Sequence, residues 1–143
     1  MKLSEVNKKF IIHRDVLIKD SISLLDKAGE RILFVVDDDE CLFGSISDGD
    51  IRRWILSEGN MELTVENLCY MRPTYVNEEY DLDEVKKVIL ELRISAIPVL
   101  NKDKKIVDIL FWNTIFDLHE HKSFKRKLTN PVVIMAGGKG SRL

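Results

Sequence analysis

The amino-acid sequence repeats its pattern once, with a shift of 64 residues, and this repeat constrains the fold more than any other feature. In each copy a short apolar strand precedes a helix whose apolar positions follow the i, i+3, i+4, i+7 spacing of one helix face. Those positions are Ile18, Ser21, Leu24, Leu25, Ala28 and Leu82, Val85, Val88, Ile89, Leu92. Only two copies fit the chain, and the period is too long for a solenoid of small units. The repeat therefore predicts two similar α+β units.

Each copy continues with two apolar strands joined by a polar turn, and then with a second helix. The predicted strands are 10–12, 33–36 and 42–46 in the first copy, and 74–76, 97–100 and 106–110 in the second. The second helices begin near Asp50 and Thr114, and Gly29 is a plausible stop for the first helix. The acidic turn at 37–40 is expected to be a solvated turn, because adjacent acids on a turn converge poorly on a cation. The expected object is two βαββα units packed face to face.

The run from Gly44 to Asp50 joins the end of a strand to the start of a helix and is a candidate nucleotide site. A helix N-terminus offers free N–H groups and a partial positive charge to a phosphate. The Ser47 hydroxyl can add a hydrogen bond, and the Asp50 carboxylate can accept from both hydroxyls of a ribose. The alternative is that Ser47 or Asp50 only caps the helix. Sequence leaves both roles open.

These residues carry a family resemblance. The segment 44–53 resembles the G-x-x-[ST]-x-x-D signature of cystathionine-β-synthase (CBS) domains, and 94–99 resembles the segment before their central hairpin. Two tandem copies form a Bateman module, an α+β CBS domain pair with pseudo-twofold symmetry. The resemblance implies CBS domains at residues 8–60 and 61–120. It also implies a regulatory adenosine nucleotide, with AMP, ADP, ATP and S-adenosylmethionine all open.

The resemblance further implies that the carboxylate of one half works with the first strand and the pre-hairpin segment of the other half. Asp50 and Ser47 would then face an apolar adenine slot formed by Thr74, Tyr75, Val76, Ser95, Ala96, Ile97 and Pro98. Core and turn packing is the other role of these residues, and the two roles are compatible. Arg31 is either a phosphate ligand across the pseudo-twofold axis or a solvated surface residue. Arg52 and Arg53 contact a phosphate, contact a partner chain or lie on an exposed helix face.

The second signature departs from this pattern. Asp108 stands where the first signature has Gly44, Phe111 where it has Ser47, and Thr114 where it has Asp50. The phosphate hydroxyl and the ribose carboxylate are both missing, and we expect the bulky Phe111 to crowd the phosphate position. The second site is therefore expected to be empty or altered.

The last residues carry a second resemblance. An apolar strand at 132–135 runs into a glycine-rich loop, which resembles the signature of mannose-1-phosphate guanylyltransferase-like sugar-phosphate nucleotidyltransferases. The resemblance implies that backbone N–H groups at Gly137, Gly138 and Gly140 approach a triphosphate and that Arg142 pairs with it. We expect residues 121–143 to be a linker and the start of a C-terminal nucleotidyltransferase domain that continues beyond Leu143. The Mg²⁺ and catalytic residues would belong to that domain, so this chain alone is not expected to be an enzyme.

Composition narrows the remaining choices. The net charge is -2, with charges of both signs mixed along the chain, which argues against nucleic-acid and membrane-surface partners. The N-terminus lacks an apolar secretory core, and Cys41 and Cys69 do not form a disulfide framework, so we expect a cytoplasmic protein. The histidines are poorly spaced for a zinc site, so we expect no metal. Apolar helix positions around 51–56 and 115–118 predict a homodimer with Trp54 or Trp112 near the interface. Two functions remain open: a regulatory nucleotide sensor, or a structural dimerisation module without a ligand.

Overall fold

The structure is a computed structural model and describes residues 5–120. The first half contains α1 (Glu5–Lys8), β1 (Ile11–His13), α2 (Ile18–Ala28), β2 (Ile32–Val36), β3 (Leu42–Ser47) and α3 (Asp48–Leu56). The second half begins with a 3-10 turn (Val65–Asn67) and contains β4 (Val76–Asn77), α4 (Leu82–Leu92), β5 (Ala96–Leu100), β6 (Ile106–Phe111) and α5 (Trp112–Glu120). The predictions for 121–143, including those for Gly137, Gly138, Gly140 and Arg142, lie outside the described residues.

The two halves form two three-stranded sheets with the same topology. In the first sheet β2 lies between β1, which is parallel to it, and β3, which is antiparallel; β5 has the same place between β4 and β6. The register shift at Val35/Val36 recurs 64 residues later at Val99/Leu100. The predicted α+β pair of βαββα units is therefore confirmed. The helices after the signatures begin two residues earlier than the sequence indicated, at Asp48 and Trp112.

The first helix of each half is capped in its own way. At the start of α2, the N–H groups of Ile18 and Lys19 donate to the carbonyls of Leu63 and Met61, so the linker between the halves satisfies this helix end. The helix ends at Gly29, whose φ of 88° is the left-handed conformation that glycine adopts without strain.

In the second half, the Asp81 side chain accepts hydrogen bonds from the N–H groups of Asp83 and Glu84 and thereby caps α4. The same left-handed position at the end of α4 is occupied by Arg93, with φ 53°. A side chain other than glycine is uncommon in this conformation.

A core shared by both halves holds the pair together. Its largest fully buried side chains in the first half are those of Ile18, Leu33, Phe34 and Ile46. Five buried residues of the second sheet belong to the same cluster: Ala96, Leu100, Ile106, Ile109 and Phe111. A smaller cluster lies within the second half and contains Val85, Ile89, Ile97 and Ile115. Burial of each apolar side chain stabilises the fold by about 1.5–3 kcal/mol. Because separating the halves would expose the residues of the shared cluster, we expect the two sheets to fold together.

The hairpin turns of the two halves also meet. Cys41 and Lys105 form an isolated antiparallel bridge, and the N–H of Leu42 donates to the carbonyl of Lys104 at 3.0 Å. Within the first turn, the Asp37 side chain accepts from the N–H groups of Asp39 and Cys41, as expected for a turn residue. Among the helices of residues 5–120, none is long and apolar enough to cross a membrane.

Candidate functional site

The structure brings Ser47 and Asp50 of the first signature together at the junction of β3 and α3. Ser47 is the N-cap of α3, and its hydroxyl oxygen accepts a hydrogen bond from the Asp50 N–H at 3.3 Å. In return, Asp50 Oδ2 accepts from the Ser47 N–H at 2.7 Å and from the Ser47 hydroxyl at 2.6 Å. This reciprocal pair is a capping box. The capping role that the sequence left open is therefore present.

Arg53 completes this cluster, although the sequence analysis did not distinguish it from Arg52. Its guanidinium forms an ion pair with Asp50 Oδ1, one helical turn earlier. A Cβ added at Gly49 would lie 3.3 Å from Arg53 Nη1, so the guanidinium extends back over the start of α3. Side chains on a helix point toward its N-terminus, and this direction could have identified Arg53. Arg52 instead pairs with Asp48 at 3.0 Å.

The segment that joins the halves packs against the same signature. Ser45 and Tyr70 exchange two backbone hydrogen bonds, of 3.0 and 2.8 Å, where this segment crosses the edge of β3. A Cβ added at Gly44 would lie 2.9 Å from both Cys69 Sγ and the Tyr70 carbonyl oxygen, so the close approach requires glycine. Burial raises the pKa of the Cys69 thiol, and the nearby charges of Glu66 and Asp50 add to this effect. Sequence reasoning had not assigned this contact.

The predicted phosphate ligand Arg31 lies beside the signature of its own half. Its carbonyl accepts a hydrogen bond from the Asp48 N–H at 3.3 Å, and its side chain is exposed. Ser95 has the equivalent place in the second half, where its carbonyl accepts from the Trp112 N–H at 2.9 Å. Both residues thus mark the point where a central strand begins, next to the helix that follows its hairpin.

The predicted adenine slot is only partly formed by described contacts. Ala96, Ile97 and Pro98 are buried in the central strand β5, which gives them the packing role that the sequence left open. Within residues 5–120, no hydrogen bond connects Ser47 or Asp50 to the segments 74–76 or 95–98. The part that these segments play in a ligand site stays a prediction.

Thr74 and Tyr75 have counterparts in the first half that line different cavities. Phe10, the counterpart of Thr74, lines a cavity beside the second signature. Ile11, the counterpart of Tyr75, lines another cavity near the hairpin turns. Tyr75 itself is 51% exposed. By analogy with Phe10 and Ile11, Thr74 is expected on the face of the module that holds the first signature, and Tyr75 on the opposite face.

The second signature borders an open cavity of about 560 Å³. Asp108 Oδ1 accepts a hydrogen bond from Asn7 Nδ2 at 2.6 Å across the two halves. Phe111 is only 9% exposed because its ring packs on Phe10, with ring centroids 4.5 Å apart. Phe111 also lines the cavity, so the expectation that it crowds the phosphate position stays a prediction. The cavity is lined by Asn7, Lys9, Phe10, Ala28, Gly29, Glu30, Asp108, Ile109, Leu110, Phe111 and Thr114.

A second open cavity of about 510 Å³ lies next to the first and shares Glu30 with it. Its other lining residues are Leu90, Arg93, Ile94, Ser95, Trp112 and Asn113. Trp112 is 37% exposed and stacks on Phe116, with ring centroids 4.3 Å apart. The two cavities together bring the pre-hairpin segments of both halves to one side of the module.

Comparison with known proteins agrees with the internal repeat. The sequence matches the family described as CBS domain twice, at residues 3–57 and 65–118. Among curated proteins, arabinose 5-phosphate isomerase GutQ from Escherichia coli is 25% identical over 89 residues. The match covers 62% of this chain but only 28% of the isomerase.

Solved structures share the fold of the whole pair. The CBS domain pair of protein MJ0100, in complex with 5′-methylthioadenosine and S-adenosyl-L-methionine, is 23% identical with a TM-score of 0.69. The similarity covers 80% of this chain and 90% of that one. CBSX2 in complex with AMP is 22% identical with a TM-score of 0.67, covering 78% of this chain and 87% of that one.

Proposed function

This chain belongs to the CBS domain family as a tandem pair, and we propose that it is a regulatory module that binds an adenosine nucleotide at the first signature. The observation that carries the proposal is the cluster of Ser47, Asp50 and Arg53 at the start of α3. It combines a carboxylate, a hydroxyl, a guanidinium and a helix N-terminus within one turn of helix. This set of groups suits a ribose joined to a phosphate.

The internal repeat supplies the rest of the proposed pocket. The residues that line the cavity at the second signature have counterparts 64 positions away, in the other half of the chain. In the first half they fall on the segment 44–47 and Asp50. In the second half they fall on Met71, Pro73, Thr74, Leu92, Arg93 and Ile94. The observed contact of Cys69 and Tyr70 with the first signature supports this arrangement, because those residues immediately precede Met71.

Each part of this pocket has a chemical task. The Asp50 carboxylate accepts hydrogen bonds from the ribose hydroxyls, and the Ser47 hydroxyl and the α3 N-terminus bind phosphate. Met71, Leu92 and Ile94 provide an apolar surface for the adenine ring. MJ0100 and CBSX2 were solved with adenosine-containing ligands, and we extend that class of ligand to this chain. AMP, ADP and ATP are the ligands that we favour.

We further propose that the module regulates a larger cytoplasmic enzyme. The glycine-rich signature with Gly137, Gly138, Gly140 and Arg142 favours a C-terminal sugar-1-phosphate nucleotidyltransferase, with domain limits at 8–60, 61–120 and 121–143. Its Mg²⁺ would bind in that catalytic domain. The relative GutQ, by its name, acts on a sugar phosphate by isomerisation, and the match with it covers 28% of its length. A sugar-phosphate isomerase is therefore the alternative parent.

The alternative function, a structural dimerisation module, is favoured by an exposed apolar surface on α3. Ile55 and Leu56 are 54% and 77% exposed at the end of this helix. Trp54 contributes less than the sequence indicated, because its indole N–H donates to the Asn60 carbonyl at 3.3 Å and its ring lies against Gly59. We propose a homodimer that uses α3 and α5, with Trp112 as the aromatic residue nearest the interface. Dimerisation and nucleotide binding are compatible.

A thermal-shift panel separates the two functions. The purified chain is melted alone and with AMP, ADP, ATP or S-adenosylmethionine. A ligand at about 100 times its Kd stabilises the folded state by roughly 2.7 kcal/mol, which raises the melting temperature. We expect at least one adenosine nucleotide to do so. A panel in which no ligand changes the melting temperature contradicts the nucleotide proposal and favours the structural function.

A further inference from the structure

We propose that Arg53 is a latch on Asp50 that makes the first signature selective for phosphorylated adenosine ligands over uncharged adenosine. The inference rests on the proposed function and specifies the class of ligand. It follows from how the Asp50 carboxylate is occupied in the structure. The latch is the ion pair between the Arg53 guanidinium and the Asp50 carboxylate.

The hydrogen-bonding capacity of Asp50 is almost fully used. Its Oδ1 is paired with Arg53, and its Oδ2 accepts from both the N–H and the hydroxyl of Ser47. A carboxylate has about four acceptor positions, so about one is left. A ribose offers two hydroxyls to this carboxylate. At least one present partner must therefore leave before the ribose can bind in full.

Arg53 is the partner that can leave most easily. Its side chain is 71% exposed, whereas that of Asp50 is 20% exposed. The bond from the Ser47 N–H belongs to the capping box that starts α3, so breaking it would fray the helix. The Ser47 hydroxyl turns its single proton away from Asp50 only when a phosphate is there to accept it. Arg53 is not needed for the cap. The latch therefore opens at Arg53.

When the latch opens, the Arg53 guanidinium is left without an anionic partner at the N-terminus of α3. Arg53 Nη1 and Nη2 lie near Gly49, in the first turn of α3, where the helix dipole disfavours a cation. A phosphate bound at this N-terminus removes the problem, because it accepts hydrogen bonds from the guanidinium with two oxygens. The carboxylate is then exchanged for the phosphate as the partner of Arg53. Adenosine provides a ribose but no anion, so it opens the latch without this exchange.

The charges around the first signature agree with a phosphorylated ligand. Arg31 precedes β2 beside α3. Arg93 lines the cavity that contains Trp112, and its repeat counterpart Gly29 lines the cavity at the second signature. At the second signature the same repeat positions hold Ser95 and Gly29, and the cavity contains the carboxyl groups of Glu30 and Asp108.

The test compares AMP and adenosine, measured by calorimetry on the whole chain, in Arg53→Gln and in the matched control Arg52→Gln. Arg52 lies on the same helix with its side chain 72% exposed, but it pairs with Asp48. In the wild type we expect AMP to bind at least about tenfold more tightly than adenosine. In Arg53→Gln, AMP binding weakens and adenosine binding strengthens, so that the ratio falls to about threefold or less. Arg52→Gln keeps the wild-type ratio.

A second variant, Arg53→Lys, controls for a loss of binding that is caused only by misfolding. Arg53→Lys keeps the positive charge but cannot bind phosphate bidentately, and we expect a ratio between those of the wild type and Arg53→Gln. A wild-type ratio in Arg53→Gln, with AMP still bound, overturns the latch and leaves the proposed function standing. Absence of binding by adenosine, AMP, ADP and ATP in the wild type overturns the latch and the proposed function together.

Discussion

The two signatures of this chain have the same backbone and different chemistry. Both follow an antiparallel strand pair with the same register shift, and both start a helix beside the residue that begins the central strand. The first presents Ser47 and Asp50, held with Arg53 in one cluster. The second presents Phe111 and Thr114, with the phenyl ring turned into the core. Duplication of the fold therefore preserves the backbone geometry of the signature without preserving its side chains.

The difference also appears where the linking segments cross the sheets. Gly44 lets Cys69 and Tyr70 approach β3 closely, whereas its counterpart Asp108 uses its side chain to accept a hydrogen bond from Asn7. At the first signature the contact is made by the backbone, whereas at the second it is a side-chain hydrogen bond between the two halves. The second signature therefore keeps an open cavity, but the Asp108 carboxylate is part of its lining.

The largest effect is expected when Asp50 is removed. Asp50→Ala loses two charge-assisted hydrogen bonds to ribose, each worth roughly 1.5–3 kcal/mol. The affinity for AMP should then fall about a hundredfold or more, because each 1.4 kcal/mol is about tenfold. The matched change at the second signature, Thr114→Ala, should leave the affinity unchanged. Equal losses in both variants, measured by calorimetry, would show that both signatures share one ligand.

The Gly44/Asp108 comparison predicts a smaller effect on stability. Gly44→Ala places a Cβ 2.9 Å from Cys69 Sγ and from the Tyr70 carbonyl, so we expect a loss of about 1–3 kcal/mol in the free energy of unfolding. Asp108→Ala removes one hydrogen bond and should cost about 0.5–1.5 kcal/mol. Denaturant unfolding measures both values. A neutral Gly44→Ala would mean that the linking segment does not lie against β3 as described.

The smallest effect concerns the two left-handed helix ends, Gly29 and Arg93. Gly29→Ala puts a side chain at φ 88° and should destabilise the chain by about 1 kcal/mol. Arg93→Gly relieves the same strain at φ 53° and should be neutral or slightly stabilising. Opposite signs in thermal unfolding support the equivalence of the two halves. A destabilising Arg93→Gly would show that the Arg93 side chain contributes to folding more than its backbone costs.

The quaternary state tests the helices that follow the signatures. Leu56 is 77% exposed, and Leu56→Lys should weaken the proposed homodimer because it places a charge in an apolar contact. Lys19→Ala, far from α3 in sequence and paired with Glu62 on the surface, is the control. Light scattering at tens of micromolar concentration should report a dimer for the wild type and the control. A monomeric wild type rules the homodimer out.

The fold was predictable from the sequence, but the details of the site were not. The 64-residue shift appears in the apolar pattern, and α2 and α4, β2 and β5, and β3 and β6 follow it without deviation. Ser47 and Asp50 were identified because a signature is local in sequence.

The pairing of Arg53 with Asp50 and the contact of the crossing segment with β3 were not predicted, because they depend on side-chain direction and on how the linker packs. The packing of Phe111 on Phe10 was not predicted, because Phe10 lies in the other half, 101 residues away in sequence. Whether a side chain fills a pocket or leaves it depends on such distant neighbours, which local periodicity does not reveal.

The stoichiometry of AMP binding tests the central claim most directly. The chain is titrated calorimetrically with AMP at a concentration well above the Kd, so that the number of sites is defined independently of affinity. Binding at the first signature alone predicts one AMP per chain in the wild type and in Thr114→Ala, and none at the same concentrations in Asp50→Ala. Two AMP molecules per chain, or one that persists in Asp50→Ala, would contradict the assignment of the site to Ser47 and Asp50.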